Sequence, residues 1–270
     1  MRARWLTSVL VALVVALQLT VVSASRDSLP APGRPWILAV GDSITEGWTL
    51  TPQYDGRDHT WAVQLRDALR RDGSPWDLYT LACPGETTVT YVQGGCVGRA
   101  VVPELRGRSQ RDAAGEAIAQ RGQWLRLIVV ELGVNDYFRA RTVSRDGAWI
   151  DAQLDAAAVR LDTIVTDLQR LAPGVPVIVA NIYDPHGLAD SWQQAVHLDA
   201  AIAAVAARHH AAVADFLHAV TRPLALPEDR CSLLDCAHHD IHPTLAGQTA
   251  LEAAVAAALP RGLSPDTGPG

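Results

Sequence analysis

The chain has 270 residues, of which 49% are apolar, and this length and composition suit a globular protein of one or two domains with a buried core. The formal net charge is −6 and no basic cluster offsets it, so nucleic acid is not an expected partner. All 23 basic residues are arginine, which excludes chemistry that needs a lysine, such as a Schiff base, a P-loop or a Ser-Lys dyad.

Residues 1–24 have the pattern of a signal peptide. Two arginines precede an apolar run from Trp5 to Val22, and small side chains up to Ala24 suit a cleavage site. We therefore predict that the protein is secreted, with residues 25–35, rich in Pro, Gly and Ser, as a linker. The alternative prediction is an uncleaved membrane anchor, because the apolar run is long for a signal peptide.

Short apolar runs of the kind that form buried strands recur along the rest of the chain. They are Trp36 to Val40, Leu78 to Ala82, Leu127 to Leu132, Val175 to Ile182 and Ala212 to Phe216. Helical patterns alternate with these runs, at Asp151 to Leu171, 193 to 210 and 244 to 259. Residues 94 to 122 lack a regular apolar period and predict a surface excursion with a short helix near its end.

Alternating strands and helices predict a parallel sheet with helices on both faces, because parallel neighbours need long right-handed crossovers. We therefore expect a single α/β domain over residues 36–260, followed by a frayed tail at 261–270. Ligands of such domains bind at the carboxyl ends of the strands. The chemistry is accordingly expected in the loops that follow the predicted strands.

The loop after the first predicted strand carries a candidate nucleophile. Ser43 lies between Gly41 and Gly47 at a strand-to-helix turn, where a hydroxyl stands clear of the sheet. The N-terminus of the following helix directs N–H groups and its positive dipole end toward a developing anion. A helix cap is the alternative role for a serine at such a place.

Three later motifs supply partners for this serine. Gly85 follows the second predicted strand and can present its backbone N–H without a side chain in the way. Asn135 follows the third strand and can donate its side-chain amide. His242 precedes the last predicted helix, in a loop from which an imidazole can reach a hydroxyl. Turn, cap and surface roles are the alternatives for these residues taken singly.

Together the four motifs resemble the sequence blocks of the SGNH (GDSL-type) hydrolase family. Ser43 stands in GDSIT and Gly85 in CPGETT, Gly133 and Asn135 stand in GVND, and His242 begins HP. The resemblance implies a flavodoxin-like three-layer α/β/α domain with a parallel sheet of about five strands. It implies Ser43 as nucleophile and His242 as general base. It also implies an oxyanion hole formed by the Ser43 and Gly85 N–H groups and the Asn135 side chain.

The triad acid departs from the family pattern, which places an aspartate three residues before the histidine. This chain has His239 at that position. Asp240, two residues before His242, is the predicted acid, because any acceptor that fixes the imidazole tautomer meets the chemical need. Asp235 and a backbone carbonyl are the alternatives.

Four cysteines form two groups that are close in sequence, Cys83 with Cys96 and Cys231 with Cys236. In an exported protein this grouping predicts two local disulfides, although the sequence alone does not fix the pairing.

The last motif also permits two interpretations without catalysis. One is a structural zinc site in a binding protein, formed by thiolates and imidazoles at suitable spacing. Its ligands would be Cys231, Cys236, His238 or His239, and His242. The other is a hydrolase-like fold that has lost activity and only binds acylated polymers or lipids, which the displaced aspartate suggests.

The resulting prediction is a secreted serine esterase or lipase that cleaves lipid or short acyl esters through an acyl-enzyme. Carbohydrate O-acetylester hydrolysis is the alternative activity. No cofactor, metal ion, nucleic acid or stable protein partner is expected, and the chain is predicted to be a monomer. Trp48 and Tyr54, just beyond the nucleophile, are candidates for the pocket wall or for the core.

Overall fold

The computed structural model describes residues 29–48, 56–71, 73–184, 186, 188–221 and 231–263. The predicted signal peptide, Tyr54 and residues 264–270 of the predicted tail lie outside these residues, as does the apolar run that the anchor alternative requires. Within the described ranges no helix is long and apolar enough to span a membrane.

A five-stranded parallel sheet forms the centre of the structure. In chain order the strands are β1 (Trp36–Gly41), β2 (Asp77–Thr80), β3 (Leu125–Glu131), β4 (Val177–Ala180) and β5 (Ala212–Ala214). They are arranged in the order β2-β1-β3-β4-β5, and every neighbouring pair is parallel. The connections change direction at β1, which lies between β2 and β3, so the crevice at the carboxyl ends of these strands is the expected ligand site.

Nine α-helices lie within the described residues. They are α1 (Ser43–Glu46), α2 (Trp61–Leu69), α3 (Thr88–Gln93), α4 (Gln110–Arg121), α5 (Val134–Val143), α6 (Gly147–Leu171), α7 (Ala189–Arg208), α8 (Phe216–Val220) and α9 (Leu245–Ala257). Helices α2, α8 and α9 pack together in one group, while α3 to α7 pack around α6 in the other. The two groups cover the sheet, so the predicted three-layer α/β/α fold is confirmed.

The core explains why the strands read as unbroken apolar runs. All six residues of β1 are buried, because a parallel sheet covered on both faces leaves no side of the strand to solvent. On the side of α2 and α8, Trp61 packs edge-on against Phe216, with ring centroids 6.1 Å apart.

Residues 94 to 122 contain more structure than the sequence predicts. Helix α4 has 12 residues and is not a short helix, and Ser109 caps it by accepting a hydrogen bond from the Asp112 N–H at 3.1 Å. Its buried face is formed largely by Ala113, Ala114 and Ala117. These small side chains bury the helix without producing a marked apolar period, which is why its length was underestimated.

Candidate active site

Ser43 lies at the first position of α1, directly after β1. Asp42 caps this helix, since its Oδ1 accepts a hydrogen bond from the Ile44 N–H at 2.9 Å. Gly41 has no room for a side chain, because a Cβ there would lie 2.6 Å from the Thr45 hydroxyl oxygen. Gly47, at φ 80°, ends the helix in the left-handed region. The turn therefore holds Ser43 at the carboxyl end of β1, as predicted from the sequence.

Three side chains form a continuous line of hydrogen bonds at this edge of the sheet. The Ser43 Oγ lies 2.9 Å from Nε2 of His242, and Nδ1 of His242 lies 2.5 Å from Oδ1 of Asp240. The side chains of His242 and Asp240 are 12% and 2% exposed, so the contacts are largely shielded from water. The structure thus brings together the serine, the histidine and the aspartate that the sequence singled out.

The conformation of the 235–242 loop explains how an aspartate only two residues before the histidine can reach its ring. His239 has φ 55°, a left-handed conformation rare outside glycine, and the Asp240 N–H donates to the Asp235 carbonyl at 3.1 Å. The His242 N–H then donates to Oδ1 of Asp240 at 3.2 Å. This tight turn brings the Asp240 carboxylate to the imidazole, although the spacing is one residue shorter than in the family pattern. Asp235, the alternative acid, instead contacts His238 Nδ1 at 2.7 Å.

Groups from other elements fix this loop. The Tyr183 hydroxyl, after β4, donates to the Ile241 carbonyl at 2.9 Å. In α9, the Gln248 side chain accepts from the Trp61 N–H at 2.8 Å and donates to the Ile44 carbonyl at 3.1 Å. The helix that follows His242 is thereby tied to the helix that carries Ser43. Neither Tyr183 nor Gln248 was singled out by sequence.

Gly85 lies in a turn that is fastened to the end of β1. The Cys83 N–H donates to the Gly41 carbonyl at 3.0 Å, and a disulfide joins Cys83 to Cys96. Gly85 has φ 80°, and a Cβ there would come within 3.1 Å of Val97. Both observations favour glycine at this position and leave its backbone uncovered by a side chain of its own.

Asn135 lies at the start of α5, and its Nδ2 donates to Oδ2 of Asp42 at 2.9 Å. An amide NH₂ has two N–H groups, so this bond orients the amide and leaves the second N–H for another acceptor. The next residue, Asp136, accepts from the Thr88 N–H at 2.9 Å and from its hydroxyl at 2.7 Å. These bonds link α5 to the loop that carries Gly85.

Buried carboxyl groups lie beneath the turn that carries Ser43. Burial raises the pKa of Asp42 to about 6, against the opposing effect of its hydrogen bonds. Burial, with the neighbouring Asp42 charge, also holds the pKa of Glu131 well above its usual value. Burial raises the pKa of Glu86 to about 7. The Gln110 side-chain amide connects Glu86 to the end of β1, because it donates to the Glu86 carboxyl group at 2.8 Å and to the Gly41 carbonyl at 2.7 Å.

The disulfides argue against the alternative of a zinc site at residues 231–242. Cys231 is joined to Cys236, and the two ring nitrogens of His242 contact Ser43 and Asp240. This pairing leaves the proposed zinc site without its thiolate ligands. Elsewhere Cys83, Cys96 and Glu86 have donor atoms within 4.8 Å of one another, but the two sulfur atoms are likewise bonded to each other.

Comparison with solved structures gives matches over most of the chain. TesA aligns with a TM-score of 0.53 and 20% identity, over 84% of this chain and 99% of that one. The acetylxylan esterase Axe2 from Geobacillus stearothermophilus aligns with a TM-score of 0.53 and 17% identity, over 86% and 96%. The lipase Lip_vut3 from a goat rumen metagenome aligns with a TM-score of 0.57 and 13% identity, over 83% and 97%. At these identities the matches show a shared fold.

No curated protein sequence matches the chain significantly. The sequence pattern of the GDSL-like lipase/acylhydrolase family matches residues 39–250, which include Ser43, Gly85, Asn135 and His242. The match covers well over half of the chain, and the structure has the fold that the resemblance implied. The chain therefore belongs to the GDSL-like lipase/acylhydrolase family.

Proposed function

We propose that this protein is a serine esterase in which Ser43 is the nucleophile, His242 the general base and Asp240 the acid that orients the imidazole. The observation that carries the proposal is the line of contacts from Asp240 through His242 to Ser43, at 2.5 and 2.9 Å. Hydrogen bonds of this length are short enough for proton transfer between a hydroxyl and an imidazole. Family membership supports the same class of reaction.

The proposed reaction has two halves. Asp240 accepts the Nδ1–H of His242, so that Nε2 is the unprotonated nitrogen and takes the Ser43 proton. The Ser43 oxygen bonds to the ester carbonyl carbon, and the tetrahedral intermediate collapses as His242 returns the proton to the leaving alcohol oxygen. Water then attacks the acyl-enzyme with His242 again as base, which releases the carboxylic acid and restores the Ser43 hydroxyl.

Three groups are proposed to hold the oxyanion of the tetrahedral intermediate. They are the N–H of Ser43 at the start of α1, the N–H of Gly85 and the free N–H of the Asn135 amide. Donors directed at a charge that develops only in the transition state raise kcat rather than substrate affinity. The bond from Asn135 to Asp42 supports this role, because it fixes the amide before substrate binds.

Asn135→Ala is therefore expected to lower kcat about 100-fold or more with little change in KM, since one oxyanion donor is worth roughly 3 kcal/mol. Steady-state kinetics with p-nitrophenyl acetate measure the change, and thermal unfolding shows whether the variant is folded at the assay temperature. A folded Asn135→Ala enzyme with kcat near that of wild type would remove Asn135 from the oxyanion hole.

Covalent labelling tests the proposed nucleophile independently of substrate choice. A fluorophosphonate probe should add to the wild-type protein at Ser43, and the modified peptide should be identified by mass spectrometry. Ser43→Ala should remain unlabelled, whereas Ser191→Ala, which removes a buried serine from α7, should label like wild type. Equal labelling of all three proteins, or of none, would contradict the proposal, and it would favour the non-catalytic binding interpretation.

The proposed substrates are esters of lipids or of short acyl chains. A carbohydrate O-acetylesterase is the second candidate, because the acetylxylan esterase shares the fold over 86% of this chain. Turnover of p-nitrophenyl esters from acetate to palmitate, compared with acetate release from acetylated xylooligosaccharides, separates the two. We also propose that the protein is secreted, and its two disulfides support an oxidising compartment.

A further inference from the structure

Two buried carboxyl groups meet beneath Ser43, and the reaction described above uses neither. Asp42 and Glu131 both have 0% exposure. Strand β1 pairs with β3 so that Gly41 lies opposite Glu131, which places the glutamate beside the nucleophile turn. Its Oε2 accepts hydrogen bonds from the Asp42 N–H at 3.3 Å and from the Thr45 hydroxyl at 3.0 Å. Glu131 is thus built into the turn that presents Ser43.

The surroundings of the other Glu131 oxygen favour a proton on the pair. Oε1 is buried and accepts no hydrogen bond from any donor of the described residues, while Oε2 contacts the main chain of Asp42, so the two acidic residues are direct neighbours. In the described part of the chain, no arginine forms an ion pair with either group. Two neighbouring carboxylates without a cation would both lose hydration and repel each other, and one proton on the pair removes the repulsion and one of the two buried charges.

The hydrogen bonds around the pair place that proton on Glu131. The Asp42 carboxylate already accepts from the Ile44 N–H and from Asn135 Nδ2, both at 2.9 Å, and lies at the N-terminus of α1. The nearby His242 also favours the charged form of Asp42. Glu131 has donors on one oxygen only, so it is the group that is easier to keep neutral.

We propose that Glu131 is a positioning residue for the Ser43 site: as a neutral acid it donates a hydrogen bond to the Asp42 carboxylate, and Asp42 in turn holds the Asn135 amide and the start of α1. This inference rests on the proposed serine esterase function. Because the bond from Glu131 fixes the Asp42 carboxylate, the Asn135 amide is also fixed, and its second N–H stays directed at the proposed oxyanion position. Loss of the Glu131 proton would loosen that arrangement and add a second negative charge behind the oxyanion site.

The remaining titratable groups near the pair do not replace the proton. Tyr183 lies beyond the end of β4, and burial, together with the nearby Asp42 carboxylate, raises the pKa of its phenol. Glu86, beyond Gln110, and Asp240, beside His242, are further carboxyl groups. Among the described residues, His242 is the basic group that acts on Asp42, and its ring nitrogens contact Ser43 and Asp240.

The test compares Glu131→Gln with Glu131→Ala. Glutamine reproduces a neutral acid, since its carbonyl can accept from Thr45 and its NH₂ can donate to Asp42. We expect Glu131→Gln to keep kcat for p-nitrophenyl acetate within about threefold at neutral pH, and Glu131→Ala to lower kcat about tenfold or more at nearly constant KM. Because the pKa of Glu131 is raised, the wild type should lose activity as rising pH removes the proton, and Glu131→Gln should not show this decline.

Glu116→Gln is the control for the loss of one acidic side chain, since Glu116 is exposed on α4, and it should retain the wild-type pH profile. The inference is overturned if Glu131→Gln is as impaired as Glu131→Ala, or if a folded Glu131→Ala enzyme has the kcat of wild type. Should Glu131→Ala fail to fold, which thermal unfolding reports, the kcat and alkaline profile of Glu131→Gln decide alone.

Infrared spectroscopy separates this inference from the proposed function. A protonated carboxyl has a C=O band distinct from those of carboxylates, and Glu86, with a pKa of about 7, contributes to it in every variant. We expect a further component of this band at neutral pH in wild type and Glu116→Gln that is missing from the Glu131→Gln spectrum. The band does not depend on turnover, so it tests the proton even if the wild type has no activity that requires Ser43. Identical spectra from wild type and Glu131→Gln would overturn the inference.

Discussion

Ser43→Ala is expected to lower kcat for p-nitrophenyl acetate about 10⁴-fold or more, and His242→Ala by a similar factor. Without the hydroxyl no acyl-enzyme forms, and without the imidazole the hydroxyl keeps its proton. Because the two side chains act as one unit at 2.9 Å, the double variant should be no less active than either single variant. Turnover at saturating ester, with background hydrolysis subtracted, measures all three.

Two matched substitutions control for the loss of a serine or a histidine elsewhere. Ser191→Ala removes a buried hydroxyl that caps α7 and should cost about 1 kcal/mol of unfolding free energy without lowering kcat at temperatures well below unfolding. His209→Ala removes a histidine that contacts Asp162 at the end of α7. If Ser43→Ala kept the kcat of these controls, the esterase proposal would be wrong.

Asp240→Asn is expected to lower kcat about 10³- to 10⁴-fold while the protein stays folded. The asparagine amide presents a donor or a neutral acceptor where the carboxylate accepts the His242 Nδ1–H at 2.5 Å, so the imidazole is no longer held in the tautomer that leaves Nε2 free. Fluorophosphonate labelling of Ser43 should slow in parallel, because it needs the same proton transfer.

Asp235→Asn is the informative comparison, since Asp235 lies in the same loop and contacts His238 instead. It should change kcat by less than about tenfold, because its main-chain bonds to the loop remain. The opposite ranking, with Asp235→Asn inactive and Asp240→Asn active, would transfer the role of orienting acid to Asp235.

The fold was predictable from the sequence because a parallel sheet covered on both faces has strands with a recognisable apolar pattern. Its strands bury both faces, so each reads as an apolar run, and long crossovers separate them. Strand ends were less accurate: β4 is Val177–Ala180, within a longer apolar run that continues to Ile182. Residues just beyond the hydrogen-bonded part of β4 are still buried. An apolar run therefore indicates which residues are buried and not which residues pair in the sheet.

Ser43 and His242 could be predicted because they stand in the first and last of four motifs whose order resembles that of a known family, each at a predicted strand end or helix start. The position of Asp240 was predicted without its geometry, since a left-handed His239 cannot be read from residue type. Their catalytic roles stay predictions until the variants are measured.

Residues that support the site from behind were missed. Glu131 ends an apolar run and was included in a strand, although a carboxyl group in a buried run is itself a signal of a special environment. Gln110 and Gln248 lie on helices whose sequences give no reason to distinguish one glutamine from another. Their importance comes from main-chain groups far along the chain, which only the folded structure brings near.

The sequence separation of 199 between Ser43 and His242 has a consequence for when activity can arise. The turn that carries Ser43 forms from the first strand, but His242 lies in a loop that follows the fifth. Until that late segment docks and Gln248 binds the Ile44 carbonyl, Ser43 lacks the base proposed for it, and the proposed esterase activity cannot arise in a nascent chain. Under the proposed function, ester turnover reports completion of the whole fold. If the protein is secreted as proposed, a chain that is still crossing the membrane would not cleave the lipids around it.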